Sequence, residues 1–392
     1  EQTGSADAPL FSAVKSISTP DDFTIVFNLS YADDNFLYAL TNPGAMPCDE
    51  EFFNLTNGKY GLDAKYLLCN GPFHVSKWTE KTSVKLVKNN EYNGESSVSP
   101  SSVTFYINNN DSEVADKMNS VTYDVAFLSS SQFSSIENKK DLNSVAVQNV
   151  TYSFIFNQND NNYRNKNMRL AFCRSCDTSS LFDSQSDISK ADGIVPPSCK
   201  IGGEDYRNGN AAELLSYDET LAKKNFNDAL LELGSSSVET TILCTEQYES
   251  FVKQMVQKLQ KTLGVKFVST VKVVSESDLE AAVNDGNYSV AFYPFKAKSS
   301  FAGEIIEGFD QNNIFGYESD VLSQKIRNIK NNSGSLEGER SAVADAENYL
   351  VSEAVIMPVF YENSYFVTSK KTSEIYFYSS ADNVCFINAK KS

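Results

Sequence analysis

CNGPFHVSKWTEKTSVKLVKNNEYNG, residues 69–94, is the stretch from which the rest of the chain is best read. Asn70-Gly71-Pro72 predicts a tight turn, since Gly71 tolerates a positive φ and Pro72 fixes the φ that follows. Phe73, Val75 and Lys77 alternate with His74, Ser76 and Trp78, which is the period of a strand. Thr79-Glu80-Lys81-Thr82 is polar enough to turn the chain, and Val84, Leu86 and Val87 predict the returning strand. Turn formers around Tyr92 close the segment. Periodicity alone therefore gives a hairpin with a rigid lead-in.

Bulk properties bound what such a hairpin belongs to. At 392 residues the chain exceeds the size at which one core stops growing, so two lobes are expected. No apolar run reaches the length of a membrane-spanning helix. The net charge of −17 is spread along the chain, a surface that repels phosphate backbones and disfavours nucleic-acid binding. Seven cysteines are an odd number, too dilute for a disulfide scaffold. Cys173 and Cys176 form a CxxC inside a helical pattern, and the only histidine, His74, is far away, so buried unreactive thiols are expected rather than a redox or zinc site. No metal and no cofactor is expected. The chain opens at Glu1 without Met, signal peptide or lipobox, which predicts that processing or truncation removed the natural N-terminus.

The second half carries the clearest pattern. Asp218 caps a helix whose Leu221, Ala222, Phe226, Ala229, Leu230 and Leu233 share a face, with Gly234 closing it. Strand, helix, strand, helix and strand then follow over Val238–Cys244, Glu246–Leu263, Val265–Val274, Ser275–Gly286 and Tyr288–Tyr293. That order demands a parallel sheet covered on both faces. Further on, Glu339–Glu353 predicts a helix and Ile356–Tyr361 a strand that Pro358 marks as edge or kinked.

The 69–94 hairpin resembles the "G-x-G-P-Y/F … W … G … v-l-x-k-N-x-x-Y-w-G" signature of the family 5 extracellular solute-binding proteins, the oligopeptide-, dipeptide- and nickel-binding receptors of ABC importers. Asn70-Gly71-Pro72-Phe73, Trp78, Leu86, Lys88-Asn89, Tyr92 and Gly94 carry the resemblance. Asn157, Arg169, Ala171 and Asp177 fit a second family pattern, although Thr178 stands where an Arg is usual. Ala191-Asp192-Gly193-Ile194-Val195-Pro196-Pro197 and the Ile356-Met357-Pro358-Val359 strand extend the resemblance to residue 361. It implies an α/β periplasmic-binding-protein type II fold, a two-lobe clamshell whose first lobe is incomplete. The first lobe would comprise 1–177 with 373–392 returning to it, and 178–372 the second. The hinge would cross near Phe156-Asn157 and after Tyr361.

The resemblance also implies a role: an extracytoplasmic receptor, periplasmic or a surface lipoprotein, that captures oligopeptides or a related solute and hands it to an ABC permease. It would act as a monomer, touching the membrane only through an anchor absent from this chain. A surface-displayed binding or sensory protein of the same fold, without transport duty and for an anionic ligand, is the alternative. Ligands of open α/β sheets bind beyond the carboxyl ends of strands, which points to Tyr293-Pro294-Phe295-Lys296-Ala297-Lys298. In peptide-binding relatives this segment reads "g-w-x-x-d-y"; here Phe295 matches the aromatic, and Lys298 stands where the acid would hold an amino terminus. A lysine attracts carboxylate or phosphate instead. Lys296 and Lys298 can equally be solvated loop charges, and Tyr293 and Phe295 divide between core and cleft. Asn157 matches a family position near the cleft, or simply makes an Asx turn. His74 and Trp78 are read as packing residues. No nucleophile–histidine pairing, P-loop, G-x-S-x-G or HExxH is present, and no spacing singles out a carboxylate pair, so no enzyme is expected.

Overall fold

The computed structural model describes residues 14–30, 36–40, 45–94, 97–107, 111–178, 181–182, 187–297, 300–310, 313–332, 334–378 and 383–392. Two units divide the chain, Glu1–Ile107 and Asn108–Ser392. The small polar start at 1–10 lies outside the described residues.

In the first unit, β1 (Val14–Asp21) and β2 (Thr24–Leu29) form an antiparallel pair whose turn is held by Phe23 N–H donating to Asp21 Oδ1 at 2.9 Å. Two short helices follow, α1 (Phe36–Ala39) and α2 (Glu50–Leu55), the second capped by Asp49, which accepts from Phe52 N–H at 2.7 Å. The hairpin of residues 69–94 is present as β3 (Phe73–Thr79) and β4 (Ser83–Lys88), and β5 (Ser102–Tyr106) pairs beyond β4. Its lead-in works differently from the expectation. Gly71 is not left-handed; instead Asn89 ties the far end of the hairpin back, donating from Nδ2 to Gly71 O (2.9 Å) and from its backbone to Pro72 O (3.0 Å). His74 and Trp78 are exposed rather than packed, Trp78 lying just past a register shift between Val75 and Lys77. A bulge changes which face later side chains take, and nothing in the alternation foretells it.

The second unit contains two larger sheets. The first has six strands in the order β13-β12-β14-β8-β15-β9: β8 (Val150–Phe156), β9 (Ile188–Lys190), β12 (Val238–Thr245), β13 (Phe267–Val274), β14 (Val290–Lys296) and β15 (Ile356–Glu362). As the strand–helix alternation requires, β12 pairs parallel with both β13 and β14. β8 runs antiparallel to β14 and β15, and β9 antiparallel to β15. The carboxyl ends of β12, β13, β14 and β15 therefore share one edge with the starts of β8 and β9. Pro358 is kinked rather than at a sheet edge: the β8–β15 register shifts between Pro358 and Phe360, a bulge where proline has no N–H to contribute.

Helices cover both faces, and the period-two alternation of the strands sorts their side chains between two cores. Phe154, Phe156, Phe292 and Phe360 pack beneath α6 (Lys166–Arg174), α7 (Glu219–Leu233) and α8 (Glu249–Leu263). Ile155, Ala291 and Ile356 face α9 (Glu276–Asn284), α10 (Gly303–Glu307), α11 (Asp320–Asn331) and α12 (Leu336–Ser352). Caps written in the sequence are made: Asp218 accepts from Leu221 N–H (2.9 Å), Ser275 from Asp278 N–H (3.1 Å), and Gly234 ends α7 at φ 63°.

The second sheet has the order β6-β16-β7, from β6 (Val125–Ser129), β7 (Leu142–Val147) and β16 (Ser364–Ser369). Only two short connections join it to the six-stranded sheet: Gln148-Asn149 between β7 and β8, and Asn363 between β15 and β16. The expected crossing after Tyr361 is thus present. The other lies at Gln148-Asn149 and not at Phe156-Asn157, because what reads as one alternating run from Val145 to Phe156 is two strands in different sheets.

Candidate functional site

The shared edge formed by the ends of β12 to β15 and the starts of β8 and β9 gathers polar side chains from segments distant in sequence. Thr245, Glu246 and Gln247 after β12, with Ser275 and Glu276 after β13, line an open groove of about 550 Å³. Beside it Tyr152, Tyr248, Phe251, Phe292 and Phe360 form a contiguous aromatic cluster, with Tyr152 and Tyr248 ring centroids 4.4 Å apart and Tyr248 and Phe360 5.3 Å apart. Glu362 caps this cluster. Its Oε1 accepts from Tyr248 Oη at 2.8 Å, and Gln247 Nε2 donates to the same hydroxyl at 3.0 Å. Burial pushes the Glu362 carboxyl above the usual carboxylate range, against the pull of the Tyr248 hydroxyl and the Lys296 ammonium, while Asp187 pushes the same way as burial.

The two crossings border this edge and are pinned to each other. Gln148 Nε2 donates to Asn363 Oδ1 and to Ser189 Oγ, both at 2.8 Å, and Ser189 Oγ donates to Asn363 Oδ1 at 3.1 Å. Asn363 N–H also donates to Asp187 O at 2.7 Å. Any rotation of one sheet against the other must work through these few groups.

The residues singled out by sequence fall in different places. Lys296 ends β14 exposed on this edge, opposite Val150 and within electrostatic reach of Glu362. Lys298 lies outside the described residues. Tyr293 and Phe295 do not divide between core and cleft: two residues apart on a strand, they share the face that packs against α9 to α12, with Phe295 stacked on Phe309 at 5.6 Å. Asn157 is at the far end of β8, beside the start of β14 rather than its end. It is buried, donates from Nδ2 to Gly286 O (2.9 Å) and Tyr288 O (2.7 Å), and accepts from Asn159 N–H at 3.0 Å. Asn157→Ala is accordingly expected to cost about 2 kcal/mol by orphaning two carbonyls, read as a lower urea midpoint at unchanged m.

Glu362, Tyr248 and Gln148 were not among the residues the sequence singled out. One signal was available, a carboxylate directly closing the apolar run Ile356–Tyr361. The thiol reading fares better. Cys173 and Cys176 line a separate 210 Å³ cavity with Met357, and burial pushes both thiols up to about 12, where little thiolate exists to react. Among the described residues no group of three or more His, Cys, Asp or Glu side chains could hold a metal.

The model of the bacterial extracellular solute-binding proteins, family 5 Middle, matches residues 1–315. The dipeptide-binding protein DppE of Bacillus subtilis (strain 168) is 22% identical over 367 residues, covering 92% of this chain and 67% of the relative. Among solved structures, Listeria monocytogenes OppA bound to peptide is similar at a TM-score of 0.76 and 21% identity, covering 98% of this chain and 79% of that one. The dipeptide-binding protein from Pseudoalteromonas sp. SM9913 in complex with Met-Leu is similar at 0.77 and 15%, covering 98% and 77%. The α/β periplasmic-binding-protein type II fold is shared with these structures.

Proposed function

The chain belongs to the bacterial extracellular solute-binding proteins of family 5, and we propose that it is an extracytoplasmic receptor that captures peptides and delivers them to the permease of an ABC importer. The family consists of binding receptors, so the chemistry is capture and release with no bond made or broken. Among the described residues no helix is long and apolar enough to cross a membrane. The observation that carries the reading is the edge at the ends of β12 to β15, where an aromatic cluster, a half-buried carboxylate and an exposed lysine meet beside two pinned crossings. The rings are packed into the core beneath that edge and hold it rigid, and the polar groups lining the groove are what a ligand there meets. We take the lobes to part at Gln148-Asn149 and Asn363, with β8 and β15 in the second lobe and β7 and β16 in the first. Closure about those two connections is the hinge motion this reading requires.

The test is retention of peptides from a mixed-sequence pool of two- to nine-residue peptides. The protein is separated from unbound peptide, denatured, and the released peptides are identified by mass spectrometry. We expect a retained subset, and a rise in melting temperature of several degrees when one of its members is added at about 100 times its Kd. A protein that retains nothing from the pool, and whose melting temperature no peptide raises, overturns the reading.

A further inference from the structure

β13 is the outer strand of the six-stranded sheet: among the described residues it pairs with β12 alone. Val238 stands opposite Phe267, and its N–H donates to Lys266 O at 2.9 Å. In a parallel pair that register turns the even-numbered residues of β13 inward to β12, and the N–H and C=O groups of Ser269, Val271 and Val273 outward. Gln260 Nε2 donates to the outward Ser269 carbonyl at 3.3 Å, and the groups of Val271 and Val273 are left for a further strand. Such an edge pairs readily with another extended chain unless something guards it. Phe267–Val274 is also rich in the β-branched residues that favour a strand. Phe267 and Val271 pack on the core beneath α6 to α8, whereas Lys266, Val268, Thr270 and Lys272 on the other face are exposed. Between Glu249 and Glu276 the chain carries Lys253, Lys258, Lys261, Lys266 and Lys272 and no acid, a run of +5 in a chain of net charge −17. Lys253 pairs with Glu249, but Lys266 and Lys272 form no ion pair among the described residues.

We propose that the free edge of β13 is a docking site for an extended acidic segment of a partner protein, one in which apolar and acidic residues alternate and which adds to the sheet beyond β13. The backbone of Val271 and Val273 supplies the ladder bonds. Alternation puts the segment's acids on the face of Lys266 and Lys272, and its apolar residues on the face of Val271 and Val273, where Val273 is 38% exposed. Glu239 shares the lysine face but lies one strand further in, opposite Val268. Lysines on an edge keep out strands that carry lysines of their own, a second copy of β13 included, and admit one with carboxylates at matching positions. This surface serves a protein partner, apart from any peptide the receptor captures.

The probe is a fluorescent, end-capped peptide of alternating valine and glutamate, as long as β13, with a valine–lysine counterpart. Anisotropy is read for wild type, Val271→Pro and the double variant Lys266→Glu with Lys272→Glu, and melting curves confirm that each folds. The Val271 N–H points away from β12, so proline there removes a docking donor and no bond of the existing ladder. Wild type is expected to bind the valine–glutamate probe at least about tenfold tighter than the valine–lysine one, and more tightly at low salt. The double variant is expected to reverse that preference, and Val271→Pro to weaken the valine–glutamate probe about tenfold. Hydrogen exchange in wild type should slow at Ser269, Val271 and Val273 when the probe is bound. No binding of the valine–glutamate probe, binding that Val271→Pro leaves intact, or protection confined to other segments overturns the inference. A wild-type dimer that Val271→Pro splits overturns it too, in favour of a second copy at this edge. Retention of the mixed peptide pool reports on peptide capture alone and is untouched by any of these results.

Discussion

Glu347→Ala is expected to destabilise the protein by about 3–5 kcal/mol, the range found when one partner of a buried ion pair is removed. Glu347 projects from α12 with only 1% of its side chain exposed, and Arg207 meets it with 8% exposed. Both guanidinium Nη atoms donate to it, Nη1 to Oε2 at 2.9 Å and Nη2 to Oε1. The same carboxylate accepts from Ile194 N–H (2.7 Å), Val195 N–H (2.9 Å) and Tyr206 Oη (3.1 Å). Alanine would strand the arginine charge and orphan two buried N–H groups at once. The loop Gly193–Pro197 packs so closely here that a Cβ on Gly193 would collide with Arg207 Nη2 and Glu347 Oε1, which explains the glycine. Urea unfolding gives the magnitude. A local readout is Cys199, fully buried after this loop with its thiol pushed up to about 12 by burial. Its labelling by a thiol reagent should accelerate in Glu347→Ala, and Glu347→Gln, which keeps part of the hydrogen bonding, should lie between. Wild-type stability and labelling in Glu347→Ala would mean the pair contributes nothing to the fold.

The second large effect is expected at Arg169, a residue with a family match. Its guanidinium is buried and donates only to main-chain carbonyls: Nε to Ala354 O (3.0 Å), Nη1 to Tyr163 O (2.7 Å) and Arg164 O (2.9 Å), and Nη2 to Glu353 O (3.1 Å). Two of those carbonyls close the short helix α5 (Asn161–Arg164), and the others follow the end of α12. One cation therefore caps two helix C-termini, where the helix dipole favours positive charge. It also holds the turn at Ala354, left-handed at φ 50°, that turns the chain from α12 into β15 and so sets where Glu362 ends up. Arg169→Met keeps volume but orphans four acceptors; at about 1–3 kcal/mol for each group left without a partner, with some relaxation, a loss of about 3–5 kcal/mol is expected. A lysine there can recover only part, since one ammonium cannot span both helix ends. The check is the urea midpoint of both variants, with Arg169→Lys falling between Arg169→Met and wild type.

Local pattern carried most of the secondary structure. Leu221, Ala222, Phe226 and Leu230 at helical spacing, Asp218 and Ser275 as caps, Gly234 as a stop, and strand alternation in Val238–Cys244 each act within a few residues, so one sequence suffices to read them. The strand–helix order from 238 to 293 went further and required parallel pairing, because a parallel neighbour needs a crossover of that length. Val145 to Phe156 shows the converse, one alternating period that spans two strands, β7 and β8, in different sheets. A chain leaving one sheet for the next without a turn keeps its period, and the break at Gln148-Asn149 shows only once the strands have partners.

What the chain by itself determined is the set of elements and the family-like spelling of its hairpin. Tertiary structure alone decided which side chains meet: Glu362 with Tyr248 across 114 residues, Arg207 with Glu347 across 140, and Gln148 with Asn363 across 215. Strand order and register are set by which faces bury together, a competition among all possible pairings that no local window contains. The same competition put Asn157 at one end of the sheet and Lys296 at the other, though both belong to strand ends that look alike in sequence.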